Sequence, residues 1–179
     1  MPAGVVIREA HPAEHAAIGE LTVQAYRGVG EGHEGYLPEL RDVAARAAEV
    51  PVLVAVDAST NRLLGTATYV PGPGPYHEGE FGDVASMRML AVAPEAQGRG
   101  VGRALVEACL ARAREAGRPG MALYTRPSMA SAHRLYESFG FRRVPELDWQ
   151  FEPGEWLWAY RLEFVPAVPA VPPAPDTGR

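Results

Sequence analysis

The segment Leu90-Ala-Val-Ala-Pro-Glu-Ala-Gln97-Gly98-Arg99-Gly100-Val101-Gly102-Arg103-Ala-Leu105 allows few readings. It runs as a strand ending at Val92, a short turn, a glycine-rich loop and the start of a helix. Glycines at alternate positions leave backbone N–H groups uncovered by side chains. At a helix start these groups have no intrahelical acceptor. The helix dipole adds partial positive charge there, so the loop suits a phosphate or pyrophosphate. Two other phosphate loops are excluded. The Gly-x-x-x-x-Gly-Lys-Ser/Thr form needs a lysine, and none lies nearby. The dinucleotide form needs Gly-x-Gly-x-x-Gly, but its last position is Arg103 counted from Gly98 and Leu105 counted from Gly100.

What remains is Gln97-x-x-Gly100-x-Gly102, preceded by Leu90-x-Val92. A second segment follows at Leu123-Tyr-Thr-Arg-Pro-Ser-Met129-Ala-Ser-Ala132-His-Arg-Leu135-Tyr136-Glu-Ser-Phe139-Gly140-Phe141. Together these resemble the GNAT superfamily of acetyl-CoA-dependent N-acetyltransferases, in which such a loop grips the cofactor pyrophosphate. The resemblance covers about residues 84–143, and the flanking elements agree with it in type and order. It implies an α/β (α+β) fold: a mixed, mostly antiparallel sheet of six to seven strands with about four helices, splayed between its fourth and fifth strands. The pantetheine arm of acetyl-CoA would enter that gap.

The resemblance assigns roles position by position. Gln97, Gly98, Arg99, Gly100, Val101 and Gly102, with the N–H of Arg103, would hold the pyrophosphate. Arg99 or Arg103 would add charge, and Arg99 could equally be a solvated arginine. Leu90, Ala91 and Val92 would pair with the pantetheine amides, and the Leu90 N–H would stabilise the oxyanion. Met129, Ala132 and Tyr136 would lie against the cofactor, although many relatives carry an asparagine at the Met129 position. Tyr136 matches the acid that protonates the departing thiolate, where a thiol of pKa about 8.5 meets a phenol of about 10. Read without the resemblance, Tyr136 is a core tyrosine.

An amine of pKa about 10.4 must lose a proton before it attacks. Many relatives use a strand glutamate for this, but the corresponding position is Ser86. Glu80 and Asp83 lie just upstream and are candidates for a water-mediated base. Glu31, His33, Glu34, Tyr76 and Trp149, in three loops, are candidates for contact with the acceptor. Carboxylates beside aromatic rings suit an ammonium group. No metal site is expected, since His11 and His15 lack a third ligand.

The 179 residues suit one domain, expected over 1–165. The Pro/Ala-rich residues 166–179 are expected to be extended or disordered. Net charge is −5, with no basic stripe for nucleic acid. No apolar run approaches about 18 residues and no signal-peptide pattern is evident, so no membrane span and a cytoplasmic location are expected. Cys109, the single cysteine, sits on the apolar side of its helix. A helix is expected over 11–26 and another over 36–49. Trp156 and Trp158 fit either a homodimer edge or a monomer core. The leading expectation is acetyl transfer to a primary amine of a small molecule, by direct attack in a ternary complex. The alternatives are acetylation of a protein lysine or N-terminus, and a non-catalytic acyl-CoA-binding sensor.

Overall fold

Residues 52–56, Val-Leu-Val-Ala-Val, show no polar alternation, and the reason is two-sided burial. In a computed structural model that describes residues 2–31 and 33–164, all five are buried in strand β2 (Val52–Asp57). Val52, Val54 and Val56 face Ile18 of helix α1 (His15–Gly28) and Val43 of α3 (Val43–Glu49). Leu53 and Ala55 face the opposite layer, with Leu105 and Cys109 of α4 (Val101–Glu115). The sheet is thus a central layer with helices on both faces.

The sheet has eight strands. With β1 (Val5–Glu9), β3 (Leu63–Val70), β4 (Ala85–Val92), β5 (Gly120–Thr125), β6 (Arg142–Arg143) and β8 (Glu155–Glu163), the order is β1-β2-β3-β4-β5-β8-β6. Strand β7 (Trp149–Glu152) pairs with β8 off this path. Every pairing is antiparallel except β4–β5. That parallel pair is registered at two positions only, Ala85↔Met121 and Ser86↔Ala122, after which the strands part. The expected splay between the fourth and fifth strands is therefore present.

Two elements differ from expectation. The 36–49 segment is not one helix but α2 (Leu37–Arg41) and α3, broken at Asp42. The Asp42 carboxylate accepts the Ala45 N–H at 3.2 Å and caps α3. Buried Arg46 donates to the carbonyls of Glu39 (2.9 Å) and Leu40 (3.4 Å) and to the Thr68 hydroxyl (3.1 Å). It so satisfies the end of α2 and fastens it to β3. The second difference is β7, which brings the strand count to eight. It is joined to β8 by Pro153-Gly154, where Gly154 (φ +83°) takes the left-handed conformation of a two-residue turn.

Helix α4 buries Val101, Ala104, Leu105, Cys109, Leu110 and Ala113, a repeat of three and four residues. Its start is set by Gly65 of β3. A Cβ there would come within 2.8 Å of the Ala91 carbonyl and 3.0 Å of Val101, so glycine lets the helix and β4 close on β3. Trp156 is exposed, whereas Trp158 is half-buried with the Arg143 guanidinium 4.6 Å from its ring and His133 stacked at 5.4 Å. Among the described residues no helix is long and apolar enough to cross a membrane. The expected tail over 166–179 lies outside the described residues.

Candidate active site

The glycine loop follows a 3-10 turn at Pro94–Ala96. Gly98 (φ +73°) and Gly100 (φ +79°) are both left-handed, a conformation that L side chains resist. The first helical bond, Ala104 N–H to the Gly100 carbonyl, is 3.0 Å. The N–H groups of Gly98, Gly100, Val101, Gly102 and Arg103 have no backbone acceptor among the described residues. A Cβ at Gly98 would meet nothing within 4 Å, so this face of the loop is open. Open space and converging donors at the start of a fifteen-residue helix fit a pyrophosphate. Arg99 is exposed. Arg103 instead lies over the Phe139 ring at 4.6 Å and donates to the Ser138 hydroxyl at 2.7 Å.

Beside this loop, β4 carries a bulge. Thr68 pairs with Arg88 and Thr66 with Ala91, so Met89 and Leu90 together oppose one β3 residue. Met89 takes φ +53° to allow it. The bulge falls where β4 has already left β5, on the edge that faces the gap.

Tyr136 is held by the way its helix ends. In α5 (Ala130–Ser138), Gly140 is left-handed at φ +92°. The Gly140 N–H bonds to the Glu137 carbonyl (2.9 Å), and the Phe141 N–H bonds to the Tyr136 carbonyl (3.2 Å). This is the paired closure of a Schellman motif, with its apolar contact supplied by the Tyr136 and Phe141 rings, 6.0 Å apart. The run Tyr136-Glu-Ser-Phe-Gly140-Phe141 is thus a tyrosine on a fixed mount. Burial, with the Cys109 thiol nearby, raises the Tyr136 phenol well above its ordinary value of 10. The same burial pushes Cys109 itself up to about 12 and leaves it no nucleophile.

A cavity of about 340 Å³ opens between the parted strands. Met87, Arg88 and Met89 of β4 line one side and Tyr124 and Thr125 of β5 another, with α1, α2 and the β7–β8 hairpin closing the rest. Arg88 lies against two carboxylates, Glu78 at 2.6 Å and Glu39 at 2.9 Å. Burial pushes the Glu78 carboxyl above its usual value; Arg88 pulls the other way, and Glu39 adds to the rise. Tyr36 is pushed up to about 12, chiefly by burial. At the mouth, Arg126 pairs with Glu31 (3.1 Å) and Glu155 (2.5 Å) and lies 4.4 Å from the centre of the Phe151 ring.

Of the acceptor candidates, Glu31, His33 and Trp149 line this cavity, as does Met129. Glu34 is instead paired with Arg27 at the surface (3.1 Å). Tyr76 lies outside the lining, with Arg88 5.9 Å from its ring. Glu80 and Asp83 are exposed and do not line it. Ala132 is half-buried against the main core. Ser86 is buried in the sheet, its hydroxyl without a partner among the described residues, and does not reach the cavity. Glu39, Glu78 and Glu152 also reach it, none of them a candidate from the sequence, and Glu78 is the one paired to the β4 arginine at 2.6 Å. The available signal was Arg88, a charge inside the apolar strand Ala85–Val92, since a buried charge needs a partner.

The profile described as the acetyltransferase (GNAT) family matches residues 15–141, and the chain belongs to that family. A mycothiol acetyltransferase of Nocardia farcinica is 34% identical over 149 residues, 79% of this chain and 46% of that protein. The chain spans less than half the length of the curated relatives it matches. A GCN5-related N-acetyltransferase from Kribbella flavida is 30% identical with a TM-score of 0.67, covering 90% of this chain and 98% of that one. A GNAT family acetyltransferase from Brucella melitensis, solved in complex with acetyl-CoA, is 26% identical with a TM-score of 0.61, covering 92% and 91%.

Proposed function

We propose that this chain transfers an acetyl group from acetyl-CoA to a primary amine of a small molecule, by direct attack in a ternary complex. The observation that carries the reading is the parting of β4 from β5: the open donor loop follows β4 in sequence, and the cavity between the parted strands is lined by Met89 of the β4 bulge and by the half-buried carboxylate of Glu78, though not by the loop, Leu90 or Tyr136. Family membership supports the acetyltransferase class, and the acetyl-CoA complex of the Brucella melitensis relative supports the donor.

Bound acetyl-CoA supplies the thioester carbonyl and the thiolate that leaves. The N–H groups of Gly98, Gly100, Val101, Gly102 and Arg103 would hold the pyrophosphate. The edge of β4 over Leu90 to Val92 would pair with the pantetheine amides, and the Leu90 N–H, within the bulge, would stabilise the negative charge that grows on the carbonyl oxygen. Glu78 takes the proton from the acceptor ammonium, for which its raised proton affinity fits it. The amine lone pair forms the C–N bond at the thioester carbon, the C–S bond breaks as the tetrahedral adduct collapses, and the second proton that the nitrogen sheds goes by way of solvent to restore the Tyr136 phenol. Tyr136 gives its proton to the departing sulfur. Burial raises the Tyr136 phenol, which keeps it protonated until the thiolate forms. Since no cysteine is exposed, an acyl-enzyme has no attachment point at a thiol.

The test is acetyl-CoA-dependent thiol release across a panel of amines. Release with one group of amines supports the reading. Tight acetyl-CoA binding without release from any amine would replace it with a protein acceptor or a sensor, and failure to bind acetyl-CoA would remove it.

A further inference from the structure

The charges around the cavity are unequal. Glu31, Glu39, Glu78 and Glu152 line it, against Arg88 and Arg126. Both guanidiniums are already committed, each to two carboxylates at 3.1 Å or less. Neither is free to receive an anion. Glu152 has no ion-pair partner among the described residues, and Glu155 stands beside it where the cavity widens to solvent.

The surplus negative charge lies at two places. One is the inner group of Glu78, Arg88 and Glu39 beside the β4 bulge. The other is the mouth, where Glu31, Glu152 and Glu155 surround Arg126. Between them the wall is apolar and aromatic, with Tyr36, Tyr124, Trp149 and Phe151. Such a wall takes methylene groups and also favours cations by contact with ring faces.

Resting on the acetyl-transfer reading above, we infer that the acceptor is a slender amine bearing a second positive charge and no carboxylate or phosphate. Its reacting end sits at Glu78, its chain lies along the aromatic wall, and its far cation sits at Glu152 and the mouth. The corollary is rejection of amino acids: an α-carboxylate would enter a negative cavity whose two arginines are both engaged, and would meet repulsion with no compensating pair.

Three amines of one length isolate the far charge: cadaverine carries a positive group there, pentylamine none and δ-aminovalerate a carboxylate. The expected order of kcat/KM is cadaverine, pentylamine, δ-aminovalerate, with about a threefold step for each change, the scale of a solvent-accessible charge pair. Raising the salt concentration should compress the order. Glu152→Arg should reverse the two extremes, raising KM for cadaverine and lowering it for δ-aminovalerate.

Binding gives an independent reading. Trp149 lines the cavity, so ligand entry should change its fluorescence, with Trp149→Phe as the control that assigns the signal. Equal or tighter binding of δ-aminovalerate than of cadaverine overturns the inference, whatever turnover shows. Absence of thiol release from all three amines, together with cadaverine-selective binding, would leave this inference standing and count against catalysis instead.

Discussion

The guanidinium of Arg88 lies 2.6 Å from the carboxylate of Glu78, although the two residues come from different segments, a loop and the strand that follows it. The pair joins the cavity wall to the β4 bulge. The proton acceptor proposed for the reaction is therefore fastened to the same strand that would present an N–H to the reacting carbonyl. Removing the carboxylate while keeping its shape tests this. Glu78→Gln should lower kcat by about a hundredfold or more and leave acetyl-CoA affinity unchanged. Glu80→Gln and Asp83→Asn, both exposed and outside the cavity, should stay within about twofold of the parent.

The same group sets a pH dependence. The Glu78 carboxyl is raised above its ordinary value, so it is ionised and able to take a proton only above that raised value. The kcat/KM should fall as pH drops through it, at a higher pH than an ordinary carboxylate would give. In Glu78→Gln this acidic limb should vanish from the profile.

Tyr136→Phe removes one hydroxyl from a buried ring. The Schellman closure at Gly140 and the contact with Phe141 do not involve that oxygen, so the melting temperature should shift by only a few degrees. Turnover should drop by about a hundredfold, with unchanged acetyl-CoA affinity measured by calorimetry. Unchanged turnover would remove Tyr136 as the proton donor.

Gly98→Ala separates ligand contact from fold. No protein atom lies within 4 Å of the added methyl, so the cost within the fold is confined to backbone strain at φ +73°, about 1–2 kcal/mol. The methyl also covers the open face of the donor loop. The Kd for acetyl-CoA should rise by about tenfold, while the far-ultraviolet circular dichroism stays that of the parent.

Acid stability has a defined contributor in Glu14. Its carboxylate pairs with Arg8 at 2.7 Å, and chiefly through that bond its pKa is lowered to about 2 from an ordinary 4.5. A lowered folded-state pKa gives stability that is present above 4.5 and is lost as pH falls through about 2. Glu14→Gln should therefore lower the melting temperature at neutral pH and have little effect near pH 2, as read by thermal scans at both.

The donor loop could be read from sequence because it is local: a strand, a turn, glycines and a helix within sixteen residues set its geometry with little outside help. Tyr136 and Gly140 were readable for the same reason, the helix stop being written four residues away. The meeting of Glu78, Arg88 and Glu39 was not, because Glu39 on α2 and Arg88 on β4 lie 49 positions apart and no local pattern encodes their contact. The break at Asp42 was hidden by alanines that continue the helical spacing across it. It is made by Arg46, whose partner Thr68 lies on a different element. Strand β7 was missed at only four residues, although Pro153-Gly154 is a turn signal that could have marked the hairpin.

The two halves of the sheet are stitched to each other by two residue pairs, Ala85↔Met121 and Ser86↔Ala122. Beyond them the backbone on the inner edges has no neighbouring strand of its own. A ligand with amides along its length would act there as the missing thread of the fabric. Saturation with such a ligand should then slow amide hydrogen exchange along the inner edge of β4, so that exchange there tracks how much of the protein carries cofactor.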